Sequence, residues 1–409
     1  MPRFDRCLSV APRPRCRDAR VQLGDQWEFP VPKWLVALFV AAFVFYTDDY
    51  VIAGVLPEIA GDLGVSQAAA GQLVTIFAVT VALVAPVAGV VFARVPRRSL
   101  LATGVCVFVA ANIGAALTPS FGALLVVRVV AAAAAAVATP SLFATAVRRA
   151  PADRVGRSVA VVALGVTGSI AVGVPVGTWI GGVFGWRATF AAMAVGGVIA
   201  LAGLLAALPR EPAETAVPDW KAQLRSLSRR PVSCGLLANT SLMTGSMMML
   251  TYLAPYLAEV AGPGVDARAV SFGLAGVAGM LGMWAGGVAT DRWGPDRALS
   301  AGIGAIAGSM AYLSLMWVLR PVPSAALLPV LAFWGGAAFW NSPAIQARLA
   351  LLSGPLAPQA LALNTSGTYL GVALGGLCGG LAMSVGSSAV LPPLAAGFAL
   401  AALLLLARA

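Results

Sequence analysis

Residues 34–57 read WLVALFVAAFVFYTDDYVIAGVLP, an apolar run that carries two adjacent carboxylates, Asp48 and Asp49. Roughly 20 helical residues cross a hydrocarbon core about 30 Å thick, so this run is long enough to span. The whole chain has the same character. Of 409 residues, 59% are hydrophobic, 11% charged and 45 are glycine, with a mean hydropathy of +0.88. Eleven further runs follow, at 70–93, 99–117, 121–146, 157–182, 187–208, 232–259, 269–290, 298–319, 323–350, 358–384 and 389–407. Spanning strands would be shorter and would alternate apolar with polar, which these runs do not. The expected fold is an all-α polytopic membrane protein with twelve transmembrane helices.

The net charge of +11 comes from 27 Lys and Arg against 16 Asp and Glu. Its distribution argues for membrane topology and against nucleic acid as a partner. With the N-terminus inside, the cytoplasmic face receives the tail from Arg3 to Lys33 and four basic clusters. These are Arg94, Arg97 and Arg98; Arg148, Arg149, Arg154 and Arg157; Arg210 through Arg230; and Arg292 with Arg297. The other face receives Arg187, Arg268 and Arg320 with Glu58, Asp62, Glu259 and Asp266. This asymmetry follows the positive-inside rule and predicts both termini in the cytoplasm. Helical spans and charge bias predict the inner membrane, and the alanine and arginine usage a bacterial source. Residues 1–33 have charge and proline without an apolar core, so they read as a disordered tail rather than a cleaved signal, with a polybasic grip on anionic lipid as the alternative.

Cysteines fall at 7, 16, 106, 234 and 378, a pattern that implies no disulfide framework. No histidine is present. That removes imidazole metal sites and the usual neutral-pH switch, so any proton work falls to carboxylates. No phosphate-binding loop of the G-x-x-x-x-G-K-[ST] type appears, which argues against ATP as energy source. The expectation is a protein with no metal, no cofactor and no enzymatic activity.

The longest polar interruption, Pro209 to Pro231, divides the runs six and six and reads as a linker between two bundles, 34–208 and 232–409. Within it, Trp220 to Leu227 is a short amphipathic stretch. The halves echo each other: GVVFARVPRRSLL at 89–101 follows the second span, and GVATDRWGPDRAL at 287–299 follows the eighth. Parallel repeats of this kind occur in transporters.

The loop pattern G-x-x-x-D-R-x-G-x-x-R-x-L, nearly complete at Gly287, Asp291, Arg292, Gly294, Arg297 and Leu299, resembles the major facilitator superfamily. Three further stretches are similar to its twelve-helix drug:proton antiporter branch: VIAGVLPEIAGDLGVS at 51–66, Arg128 in LLVVRVVAAAAAAVATP, and GVTGSIAVGVPVGTWIGGVFGWRATF at 165–190. The resemblance implies two pseudo-symmetric six-helix bundles, 34–208 and 232–409. The first-half loop departs from it, since the family's Asp would stand at Ala93 and its second Gly at Pro96. Gly89 and the basic Arg94, Arg97 and Arg98 remain there.

Asp48 and Asp49 lie about 20 Å along the first span from Trp34, at 1.5 Å per residue, and are the only carboxylates deep in a predicted span. An intramembrane carboxylate nearly always faces a cavity or a partner. Neighbours on a helix point about 100° apart, so the two cannot face one spot equally. An acidic residue followed by an aromatic precedes VIAG in the family, which matches Asp49 and Tyr50. The resemblance thus implies Asp49 as proton carrier, with Asp48 second. In an apolar cavity the neutral acid is favoured, which lets protonation and substrate binding compete. The alternative is a permanent buried ion pair between one Asp and Arg128. Arg128 reads as the single cation within a span; it stays protonated, and tunes a nearby carboxylate, anchors an anionic group, or is held by backbone carbonyls.

In the fifth span Gly173, Pro175 and Gly177 stand in a small-residue surface where Pro175 permits a bend. The resemblance implies that this motif of exporters seals the outer path and hinges the motion. Candidate cavity residues are Tyr50, Met247, Tyr252, Phe339, Trp340, Asn341, Asn364 and Tyr369, which combine adaptable apolar bodies with scattered hydrogen-bonding groups. The expected function is a monomeric, proton-coupled exporter of small amphipathic drug-like molecules, working by alternating access with the lipid bilayer, protons and substrate as its partners. Alternatives are an importer or uniporter of a small metabolite, or an uncoupled membrane sensor or scaffold.

Overall fold

The computed structural model describes residues 32–92, 94–151, 154–210 and 230–408. The tail through residue 31, Ala93, Cys7, Cys16 and segment 211–229 with Trp220 to Leu227 lie outside the described residues. Among those residues the chain is helical throughout, with no strand. The first half comprises α1 (Lys33–Tyr50), α2 (Ile52–Leu63), α3 (Gln67–Val91), α4 (Arg97–Leu117), α5 (Phe121–Arg149), α6 (Val155–Gly168), a π-helical turn (Ser169–Gly173), α7 (Val174–Phe184) and α8 (Trp186–Ala207). The second half comprises α9 (Arg230–Thr251), α10 (Leu253–Val260), α11 (Val265–Trp293), α12 (Pro295–Val318), α13 (Ser324–Ser353), α14 (Ala357–Val385) and α15 (Leu391–Ala407).

Ten helical stretches among the described residues are each long and apolar enough to cross a membrane, and α1 with α2 form a further span bent by 46°. The expected seventh span is also broken, into α9 and α10 at Tyr252. It is not among the ten, because Asn239, Thr240, Ser241, Thr244 and Ser246 dilute its apolar run. Local chemistry accounts for the helix ends. Ser120 caps α5 by accepting a hydrogen bond from the Ala123 amide at 3.3 Å, while Arg148 and Arg149 close its last turn, where a cation meets the negative end of the helix dipole. Gly64 ends α2 in the left-handed region at φ 63°, and the Val65 amide donates to the Ala60 carbonyl. Hydroxyls inside spans turn back on their own helix, as Thr47 does to Phe43 at 2.7 Å and Thr80 to Ile76 at 2.7 Å, so no bare donor faces lipid at those positions.

In the first half α1 packs on α6 and α8, α3 on α5, and α4 on α5 and α8; in the second α9 packs on α14 and α15, and α13 on α11 and α12. The halves meet along α3 with α14, α2 with α10, and α7 and the π-turn with α11. Absent side chains make the closest of these contacts possible. A Cβ on Gly282 would lie 2.7 Å from the Gly336 Cα, and one on Gly276 would lie 2.7 Å from the Ala171 Cα across the halves. Gly282→Val therefore forces α11 from α13, and overpacking of this kind costs about 1–3 kcal/mol. A lowered melting temperature in detergent is expected. Gly304→Val, where a Cβ meets nothing within 4 Å, is expected to melt like the parent; equal melting of both variants would contradict the packing argument.

Candidate functional site

The last turn of α1 carries both carboxylates, and the 100° rotation between them sends each to a different partner. Arg128, in the middle of α5, reaches Asp48: its Nη1 lies 2.8 Å from Oδ2, and Nη2 donates to the Asp48 backbone carbonyl at 3.2 Å. The last carbonyls of a helix lack partners within it. The break after Tyr50 places that of Asp48 among them, and the guanidinium fork takes carbonyl and carboxylate together. Its plane is walled by Phe77 of α3 at 4.4 Å and Phe190 of α8 at 5.9 Å. Arg128 is 1% exposed and Asp48 0%. Asn112 of α4 stands beside them, donating to the Phe108 carbonyl at 3.1 Å. Asp48 Oδ1, Arg128 Nε and Asn112 Oδ1 are buried without hydrogen bonds.

Asp49 points elsewhere. Its Oδ2 accepts from the Tyr369 hydroxyl of α14 at 3.3 Å, its one polar partner among the described residues. Tyr46 and Tyr50, stacked one turn apart with centroids separated by 6.3 Å, complete a phenolic surround. Asp48 is thus tied within the first half, and Asp49 is tied across to the second.

The remaining expected site residues divide. Met247 and Phe339 line a small cavity between the halves. Tyr252 is fully buried, and its hydroxyl donates to the Gly376 carbonyl at 2.9 Å, which makes it a strut between α9–α10 and α14. Asn341 donates to Ala337 at 3.1 Å, and the carbonyl oxygens of Asn341 and Asn364 are buried without partners. Trp340 does not line that cavity. Its indole donates to the Ala298 carbonyl at 2.9 Å, packs against Trp293 at 6.1 Å, and lines a groove of about 590 Å³ formed by α11, α12 and α13 alone. Phe339 and Trp340 are neighbours on a helix and cannot both face the interface.

Gly173 and Gly177 of the fifth span lie against Thr47 and Val51 of the first span, and Pro175 lies where α11 passes at Gly273. The π-turn stands directly before this motif. In the second-half loop, Asp291 and Arg292 are exposed, Gly287 and Gly294 flank them, and Arg297 is exposed. The ion pair there is made by Asp296, which accepts from Arg348 Nε of α13 at 2.6 Å. In the first half, Arg97 donates to Ser141 at 3.4 Å and Arg98 to the Leu205 carbonyl at 2.6 Å; Arg94 follows the end of α3, which holds Gly89. Arg128 is therefore not the single cation within a span. Arg348 lies inside α13 and Arg268 inside α11, each 8% exposed. Arg268 pairs with Glu58 of α2, a second tie between the halves.

A membrane bundle of two six-helix halves, with a buried arginine–aspartate pair and a carboxylate bridging the halves, defines a secondary-transporter architecture. Residues 38–375 match the Major Facilitator Superfamily, and the chain belongs to that family of membrane transporters. It is 32% identical over 346 residues to the uncharacterized MFS-type transporter YbcL of Bacillus subtilis (strain 168), covering 84% of this chain and 87% of that protein. It is 35% identical over 266 residues to a chloramphenicol resistance protein of Streptomyces lividans, covering 64% and 67%. Among solved structures it shares the fold of the peptide transporter POT in a mutant form, with TM-score 0.75, 15% identity and coverage of 93% and 95%. It also shares that of a bacterial homologue of the human lysosomal transporter Spinster in an inward-facing, unoccupied conformation, with TM-score 0.66, 18% identity and coverage of 92% and 94%.

Proposed function

We propose that the protein is a proton-coupled exporter of small amphipathic drug-like molecules, with Asp49 as the proton carrier. One observation carries this: Arg128 is spent on Asp48, so Asp49 is the deep carboxylate that makes no ion pair among the described residues. An ionised carboxylate accepts a stronger hydrogen bond than a neutral one. Ionised Asp49 holds Tyr369 and thereby holds α1 to α14; protonation loosens that tie and removes a buried charge, so the halves can rock past each other. Asp48 and Arg128 keep the region neutral and fix the end of α1. The antibiotic resistance named for the Streptomyces lividans relative supports export as the direction.

The charge bias supports an inner-membrane location with both termini cytoplasmic. On that orientation Glu58 with Arg268, and Gly182 against Val265, close the outer side. The pair Glu58–Arg268 is mostly buried, so its loss is worth on the order of 1 kcal/mol or more in the balance of states. Arg268→Ala is expected to raise the outward-open population about fivefold, read as a longer spin-label distance between cysteines placed at 61 and 264, where a Cβ meets nothing within 4 Å. An unchanged distance distribution would remove the pair from the gate.

The functional test uses protein in liposomes loaded with a pH dye, to which lipophilic cations and neutral antibiotics are added under an imposed proton gradient. Compound-dependent proton movement by the parent protein, lost in Asp49→Asn, is expected. Compound flux with no proton movement would replace the antiport reading by a uniporter.

A further inference from the structure

The groove of about 590 Å³ between α11, α12 and α13 lies within the second half, away from the contact of the two halves. On α11 its wall runs from Ala278 to Trp293, about 22 Å at 1.5 Å per residue, which is about the depth of one bilayer leaflet with its headgroup layer. Small residues on all three helices open it, among them Gly282, Ala301, Ala305 and Gly336. Leu281 and Phe333, 64% and 58% exposed, stand in its lining, so it opens sideways. No charged side chain lines it. The Trp340 indole already donates its proton to the Ala298 carbonyl, so what it offers the groove is ring.

At the far end of α11 the lining reaches Trp293, and membrane helices commonly place an indole at the headgroup level. Two arginines continue the groove there. Residues four or seven apart lie on nearly one face of a helix. Arg292 therefore continues the face of Ala285, and Arg297 that of Ala301 and Ala305. Both arginines are exposed, and neither makes an ion pair among the described residues. The nearby carboxylates are turned aside. Asp291 continues the face of Trp284, which is not in the lining, and Asp296 is taken by Arg348. A cationic mouth thus stands over an apolar trench one leaflet deep.

We propose that this groove seats one tail of an anionic phospholipid, with the lipid phosphate between Arg292 and Arg297. On the orientation given above the lipid belongs to the cytoplasmic leaflet. A guanidinium binds phosphate oxygens through paired N–H bonds, and arginines at a membrane surface attract anionic lipid. Two other occupants fit less well. A drug-like molecule needs polar partners, and the lining offers two indoles of which one is already used. A second copy, related by a twofold axis along the membrane normal, would bring its own Arg292 and Arg297 to the same depth, like charge against like.

The test is photolabelling of the full chain in detergent by phosphatidylglycerol that carries a diazirine in one tail, with labelled peptides located by mass spectrometry. No proton gradient is used, so the result stands apart from the role of Asp49. Competitors are unlabelled phosphatidylglycerol, phosphatidylcholine with the same tails, and glycerol 3-phosphate, which has the phosphate and no tail. Saturable labelling within 278–305 and 332–340 is expected, competed by neither glycerol 3-phosphate nor low phosphatidylcholine. Phosphatidylglycerol is expected to compete at least about tenfold better than phosphatidylcholine, since each arginine near the surface adds about 1 kcal/mol. The double variant Arg292→Gln with Arg297→Gln changes exposed positions, is expected to melt like the parent, and loses that preference. Ala301→Phe fills the trench and is expected to lower labelling several-fold; if it does not fold, the arginine variant decides. Equal competition by the two lipids, a preference that survives in the arginine variant, full competition by glycerol 3-phosphate, or no saturable label in these segments overturns the lipid seat. So does competition by lipophilic cations or neutral antibiotics where neither lipid competes, which makes the groove a substrate site. Cross-linking of two copies through cysteines placed at 301 also overturns it and makes the groove a dimer face.

Discussion

Arg128→Leu is expected to lower the stability of the folded protein by about 3–5 kcal/mol, the cost of leaving one member of a buried ion pair alone. The geometry makes the loss large. The guanidinium serves the Asp48 carboxylate and the Asp48 carbonyl at once, and it is sandwiched by Phe77 and Phe190. Arg128→Lys keeps the charge and gives up the fork, so it is expected to fall between. A double variant, Arg128→Leu with Asp48→Leu, leaves no uncompensated charge and is expected to recover most of the loss. The readout is thermal unfolding of purified protein in detergent. If the double variant is as unstable as the sum of the singles, the two side chains act independently and the ion pair is not what holds α1 to α5.

Asp49→Asn carries the second large effect, and here stability and function separate. Asparagine has the same shape, and its Oδ1 still accepts the Tyr369 hydroxyl in the weaker bond of a neutral acceptor, as the protonated acid does, so α1 and α14 stay in contact and melting is expected to change little. What disappears is titration. Gradient-driven substrate accumulation in inverted vesicles is expected to fall at least about tenfold, while substrate binding and substrate exchange without a gradient persist. Tyr369→Phe does the reverse: the carboxyl remains and its inter-half acceptor bond is lost, so protons are expected to leak without substrate. Full coupling in Asp49→Asn would assign the proton to another group and leave Asp49 as a structural link.

Much of this was legible in the chain itself. Twelve apolar runs, their charge bias and the loop motif are properties of local sequence, because length and hydropathy alone determine whether a segment can satisfy its backbone in lipid. The breaks at Val51 and Tyr252 were less visible, since hydropathy runs unbroken across a bend. That Asp48 and Asp49 need different partners also followed from helix geometry before any partner was known. The ion pair at Asp296 was hidden by the loop motif, which draws attention to Asp291. Arg348 lies toward the end of a long apolar run, where its charge barely disturbs the average.

What the sequence determined by itself was the set of helices, their spanning length and the presence of a deep carboxylate pair, because each is set by nearest neighbours along the chain. Tertiary structure decided the assignments. Arg128 lies 80 residues from Asp48 and Tyr369 lies 320 from Asp49, and nothing along the chain ranks one carboxylate over the other as a partner for the cation. Likewise, Phe339 and Trp340 look equally suited to a cavity. Rotation of each helix about its own axis is set by packing against its neighbours, and that rotation sends Trp340 into a lateral groove and puts Phe339 on the wall of the cavity between the halves.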